Sequence, residues 1–305
     1  YGVYAPICSR NGVAFFGRDS DATLPVWSAK DGYPGDPHYR EFHRDLGWDL
    51  PIEELKPLGL DQPRPLGLKL HRVTDHSAPL DLKRPYEPGV AAERVKEHAA
   101  DYLQGRRRQL DQLGNAMEVS PLLVAPFDAE LFGHWWFEGP AFLSQLFQQA
   151  PQEGVAFTRL RDVLNSVGQL QLCDPSPSSW GQGGYHDYWL NDSNAWIIPE
   201  WEKASAAMVQ RCSRGVGSEQ AMQWLQQAAR ELLLAQSSDW SFILRAGTTT
   251  ELAKERVQRH LGRFWQLMQA IDGITELREG WLEEVQTDDR LFPLIQPLDW
   301  AQVGD

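Results

Sequence analysis

The stretch that decides the fold runs Pro121-Leu122-Leu123-Val124-Ala125-Pro126-Phe127-Asp128-Ala129-Glu130-Leu131-Phe132-Gly133-His134-Trp135-Trp136-Phe137-Glu138-Gly139-Pro140. Its first part is a short apolar run that ends on a carboxylate. A brief, fully apolar segment of this kind reads as a strand of a parallel sheet or barrel, with the functional rim at its carboxyl end. Its second part gathers the carboxylates of Asp128, Glu130 and Glu138, the His134 imidazole and two indoles into one loop. Asp128 and Glu130 face opposite sides of an extended backbone, and a turn after Asp128 brings both toward one cleft. A carboxylate among indoles is partly desolvated, which suits it to proton transfer. The competing reading is a strand-end loop whose acids only cap the next turn.

The flanking sequence frames this stretch. Residues 1–85 are irregular and rich in turn signals, with a short buried strand expected at 13–16 and a weaker one at 66–73. Pro88 suits a first helical position, and the apolar spacing predicts a helix over 88–112. Gly139-Pro140 opens a helix to about 150, and 155–157 is a second short strand candidate. Residues 173–194 form a loop dense in Ser, Gly and Trp. From about 199 the pattern turns helical. Ser218 is placed to cap a helix carrying Met222, Leu225, Ala229 and Leu232. A second helix, 250–274, carries Val257, Leu261, Phe264 and Met268, and the two are expected to pack antiparallel. The reading is therefore α/β plus all-α, divided into residues 1–190 and 191–305.

Composition narrows the function. The 305 residues carry 29 Lys and Arg against 42 Asp and Glu, a net charge of -13, which argues against a duplex nucleic-acid binder. No apolar run is long enough to span a membrane, and no signal peptide is read at the start. The three cysteines are far apart and give neither a zinc spacing nor a disulfide framework, so a reducing, cytoplasmic home is expected. His186-Asp187 lacks a third ligand at motif spacing, and no nucleotide loop is present, so neither metal nor cofactor is expected. The 13 tryptophans are the unusual feature. Trp48, Trp135, Trp136, Trp180, Trp189 and Trp196 stand beside Gly, Asp, His and Asn rather than in apolar runs. An indole in a polar loop is costly unless something flat and partly apolar covers it, and the C–H face of a sugar ring does so.

The sequence resembles glycoside hydrolase family 57, in particular its 1,4-alpha-glucan branching enzymes. The resemblance rests on Gly32-Tyr33-Pro34-Gly35-Asp36, Tyr39-Arg40-Glu41-Phe42, the 127–140 run, the 180–196 loop and Ser238-Asp239-Trp240. It implies the C-terminal part of an incomplete (β/α)7 barrel followed by a helical domain. It also implies retaining chemistry with Asp128 as general acid/base. Trp48, Trp180 and Trp189 match aromatic residues that line glucan subsites. Asp239 and Trp240 match a loop of the helical domain that reaches toward the cleft. His134 and Glu130, inside the central run, are counted with the substrate-binding residues. The His-x-His and Trp-Leu-Pro-Glu motifs of the family do not occur in these residues. The nucleophilic glutamate is therefore expected from an N-terminal segment or chain of the same enzyme, and no glutamate here is assigned that role. The expected partner is an alpha-glucan, with no nucleic acid and no membrane. Two rivals stay open: an alpha-amylase or 4-alpha-glucanotransferase of the same family, and a non-catalytic glucan-binding protein.

Overall fold

The structure, a computed structural model, describes residues 1–179 and 181–302. The backbone divides into two compact units, residues 1–175 and 176–305. No described helix is long and apolar enough to cross a membrane.

The first unit is mixed α/β. Its sheet has three two-residue strands, β1 (Ile7–Cys8), β2 (Ala14–Phe15) and β3 (Gln171–Leu172), in the order β2-β1-β3. β1 pairs antiparallel with β2, Ile7 opposite Phe15, and parallel with β3, Ile7 opposite Gln171. This sheet is open, and no barrel closes among the described residues. Six helices accompany it: α1 (Ser20–Trp27), α2 (Leu46–Asp49), α3 (Ile52–Leu55), α4 (Pro88–Ala116), α5 (Gly139–Gln149) and α6 (Leu160–Ser166). Ala91, Val95, Ala99 and Leu103 recur every four residues and give α4 one buried face. That face packs with Phe142 and Leu146 of α5 and with Tyr39, Leu131 and Trp136 from the intervening loops. Gly105 lies beyond the last buried position, so the helix runs on past it.

Three expected strands are corrected. The segment 121–127 is extended but forms no strand. Leu122 donates to the Tyr4 carbonyl at 2.8 Å and Val124 accepts from Asp19 at 2.8 Å. The other backbone groups of that run have no ladder partner among the described residues. Strand 13–16 exists in part, as Ala14–Phe15, but it is no buried strand: Val13 and Phe15 are 49% and 38% exposed. Residues 155–157 are irregular, and Phe157 packs on Phe147 rather than in a sheet. The apolar runs are real in all three, but a strand needs neighbours to pair with. The 66–73 segment likewise makes only isolated bridges, Arg40 to Arg72 and His71 to Pro85.

The second unit is helical: α7 (Ile197–Arg214), α8 (Glu219–Ala235), α9 (Ser238–Ala246), α10 (Thr250–Ile271) and α11 (Trp281–Asp288). Ser218 caps α8, its side chain accepting from the Ala221 N–H at 3.1 Å. α8 and α10 pack together through Leu225, Leu232, Val257, Leu261 and Phe264. The Gly- and Trp-rich loop goes with this unit. Buried Asn194 donates to the carbonyls of Tyr188 and Ser241, and Asp187 pairs with Arg245 at 2.8 Å. Those bonds tie the loop to α9, within the compact unit that begins at residue 176.

Candidate active site

The loop after the extended segment is wound tightly. Asp128 precedes a single 3-10 turn, Ala129–Leu131, and its carbonyl accepts from Leu131 at 3.2 Å. The half-buried Asp128 carboxylate caps nothing, and no hydrogen bond or ion pair engages it among the described residues. Glu130 shapes the turn through its backbone: its carbonyl accepts from both His134 and Trp135, at 3.2 and 3.0 Å. Gly133 closes the return at φ +110, a conformation that favours glycine. The winding sorts the side chains. Leu131 and Trp136 turn into the core, Trp136 with its ring 5.0 Å from Phe142. Glu130, His134, Trp135 and Phe137 remain exposed.

Beside this loop lies a pocket of about 290 Å³, lined among others by Arg40, Phe42, Lys69, His134, Trp135 and Phe137. The Arg40 guanidinium sits 3.6 Å above the Phe137 ring, and the His134 ring meets Phe42 edge-on at 5.8 Å. A smaller pocket of about 250 Å³ is also lined by Trp135 and by Trp27, which meets Trp135 edge-on at 6.2 Å. The pocket between the 40–45 and 133–137 loops has a braced charged wall. Glu41 pairs with buried Lys83 at 3.2 Å. Asp45 accepts from the backbone N–H groups of Gly47, Leu66 and Gly67 and pairs with Lys69 at 3.1 Å. Burial opposes ionisation of Asp45, yet those donors and the Lys69 ammonium hold its pKa below the usual carboxylate range. Glu138, 4% exposed, ties the two loops together by accepting from the Arg40 N–H at 3.0 Å. Burial pushes the Glu138 carboxyl up, against the opposing pull of the Tyr86 hydroxyl and the Arg40 N–H. Indoles and phenyl rings with donors and acceptors around them suit a polyhydroxylated ligand with apolar C–H faces.

The other expected site residues fall as follows. Trp48 stands on α2 with 57% of its surface exposed, and the backbone of Gly47 before it is pressed against the Arg64 carbonyl. Trp180 lies outside the described residues. In the helical unit, Trp189 joins an aromatic group with Tyr188 and Phe242, the last two stacked at 4.9 Å and 18°. Asp239 accepts from the Ser237 hydroxyl at 2.8 Å at the start of α9. Trp240 is half-buried against the helical core and donates to the Leu234 carbonyl at 2.7 Å. Sequence reasoning did not single out Phe242, Phe137 or Lys69. Phe242 had a signal, two residues after Trp240, whereas Lys69 had none. For metals, Glu231, His260 and Asp289 bring their ligand atoms within 4.8 Å. Arg263 already neutralises Asp289 at 2.6 Å, and Gln227 donates to Glu231 at 2.8 Å. This is a buried polar brace between α8, α10 and the end of α11, and no metal is assigned to it.

A family model, "1,4-alpha-glucan branching enzyme, C-terminal", matches residues 200–300. The 1,4-alpha-glucan branching enzyme of Thermococcus kodakarensis is 33% identical over 291 residues, 92% of this chain and 40% of that protein. The crystal structure of the GH57-type branching enzyme from Pyrococcus horikoshii superposes with a TM-score of 0.78 at 32% identity, over 99% of this chain and 54% of that one. The chain belongs to the GH57-type 1,4-alpha-glucan branching enzyme family. Its open sheet and all-α second unit match the incomplete barrel fold of that family. A probable branching enzyme of Mycobacterium tuberculosis is 28% identical over 281 residues, 88% of this chain and 50% of that protein. The alpha-amylase AmyC of Thermotoga maritima superposes with a TM-score of 0.76 at 37% identity, over 99% of this chain and 57% of that one. The chain spans 40% and 50% of the length of the two curated relatives and 54% and 57% of the two solved structures.

Proposed function

We propose that this chain carries the acid/base side of a retaining 1,4-alpha-glucan branching enzyme. The observation that carries the reading is the unpartnered Asp128 carboxylate at the head of an aromatic loop, in a chain that aligns with branching enzymes over most of its length. A glutamate from polypeptide outside residues 1–305 attacks the anomeric carbon of an alpha-1,4 linkage, and Asp128 protonates the leaving oxygen. A covalent glycosyl-enzyme forms. Asp128, now ionised, takes the proton of an acceptor 6-hydroxyl as that oxygen attacks the anomeric carbon and displaces the glutamate, and an alpha-1,6 branch results. Retention needs the two carboxyls about 5 Å apart. Trp135 and Trp48 hold glucan and keep water from competing with the acceptor. A neutral polymer needs no positive cleft, in accord with the charge of -13.

The similarity to an alpha-amylase favours a second reading, in which water replaces the acceptor hydroxyl. Incubating the complete protein with amylose and counting alpha-1,6 linkages against new reducing ends separates the two. New alpha-1,6 linkages in excess of free reducing ends support branching. Reducing ends without branch points overturn it.

A further inference from the structure

The helical unit holds a pocket that the chemistry above does not use. It lies between α7 and α10, has a volume of about 290 Å³, and is lined among others by Ala207, Arg211, Arg214, Trp265, Gln269 and Asp272. On α7 the positions 203, 207, 211 and 214 fall on one face, and Ala207 in its middle leaves the space that the pocket occupies. Trp265 is half-buried and forms an aromatic side, braced edge-on by Phe264 at 5.0 Å. The Lys203 ammonium stands 5.5 Å from the centre of its ring. Arg211 is fixed by an ion pair to Asp272 at 2.9 Å, so donors and an acceptor stand side by side on the rim. Gln210 and Gln269 add amides, each of which both donates and accepts.

We propose that this pocket is a second carbohydrate site, taking one or two residues of a neutral alpha-glucan chain on Trp265. The inference rests on the glucan reading of the protein and adds a holding site made only of helical-unit side chains. An indole beside guanidinium, amide and carboxylate groups matches a sugar ring, which has one apolar face and hydroxyls that donate and accept. An anion fits less well. The arginines stand in the last turn of α7, where the helix carbonyls already favour positive charge, and Asp272 shares the rim. The volume lies near the lower end of ligand cavities of roughly 300–1,000 Å³, which suits a short stretch of chain rather than a long oligosaccharide.

The test titrates the 305-residue chain with maltoheptaose, by calorimetry and by tryptophan fluorescence. Trp265 also packs on the helical core, so its replacement by Ala risks the fold. The primary variant is therefore the exposed double change Arg214→Ala with Gln269→Ala, accompanied by Trp265→Phe. The double variant should melt as wild type and bind maltoheptaose about tenfold more weakly, the loss of two net hydrogen bonds. Inorganic phosphate should not compete. Unchanged maltoheptaose affinity in the double variant, or competition by phosphate, overturns the inference and leaves the branching reading intact. A chain that binds no maltoheptaose also overturns it, while branching is still decided by alpha-1,6 linkages in the complete protein.

Discussion

At Glu138 the chain buries a carboxyl and uses it to hold the Arg40 loop against the aromatic loop. Burial raises its pKa in the folded state, so the folded protein binds this proton more tightly than the unfolded chain does. Its contribution to stability is then fully present below the unfolded carboxyl value. It is lost as pH rises through the folded pKa. Glu138→Gln keeps an acceptor for the Arg40 N–H and removes the titration. The melting temperature of wild type relative to Glu138→Gln should therefore fall as pH is raised from about 4 to 8. A difference that is flat in pH, or one that grows, contradicts the assignment of burial as the cause. Asp45 titrates in the opposite sense, because three backbone donors and Lys69 outweigh its burial. Its contribution is present above the unfolded value and is lost as pH falls.

The local elements show where sequence reading succeeds. Helix α8 was legible from Ser218 and the spacing of its apolar face, and both appear as read. The Asp128–Pro140 loop was legible as a chemical cluster because so many polar and aromatic side chains crowd it. The strands were less legible. An apolar run signals burial, but only a partner turns it into a ladder, and 121–127 has just two backbone bonds to other segments among the described residues. Pocket walls were harder still. Lys69 and Asp45 meet there only because the 64–69 segment folds back onto α2, a contact with no periodicity in sequence. Gly47 is the closest point of that fold-back: a Cβ there would stand 1.9 Å from the Arg64 carbonyl oxygen. Gly47→Ala should therefore cost about 1–3 kcal/mol, the usual range for overpacking. Urea unfolding of the chain checks this. An unchanged midpoint would show that the 64–69 segment yields freely, and that α2 and Trp48 are not fixed by it.

For the whole molecule, periodicity supplied the helical part, and the resemblance read in the sequence supplied the incomplete barrel and the membership of both parts in one enzyme family. The two compact units of the backbone part at 175–176, before the Ser-, Gly- and Trp-rich loop. Asn194 and Asp187 bond it to α9. The account as a whole turns on Asp128, the one acid in the aromatic loop proposed to move a proton in catalysis. The decisive measurement is the rate of alpha-1,6 linkage formation on amylose by the complete protein carrying Asp128→Asn, with its melting temperature recorded alongside. The account predicts an unchanged fold and a loss of branching by a factor of about 10²–10⁴, the usual share of general acid–base catalysis. Near-normal branching by a folded Asp128→Asn protein would contradict it, and would turn attention to Glu130 as the acid.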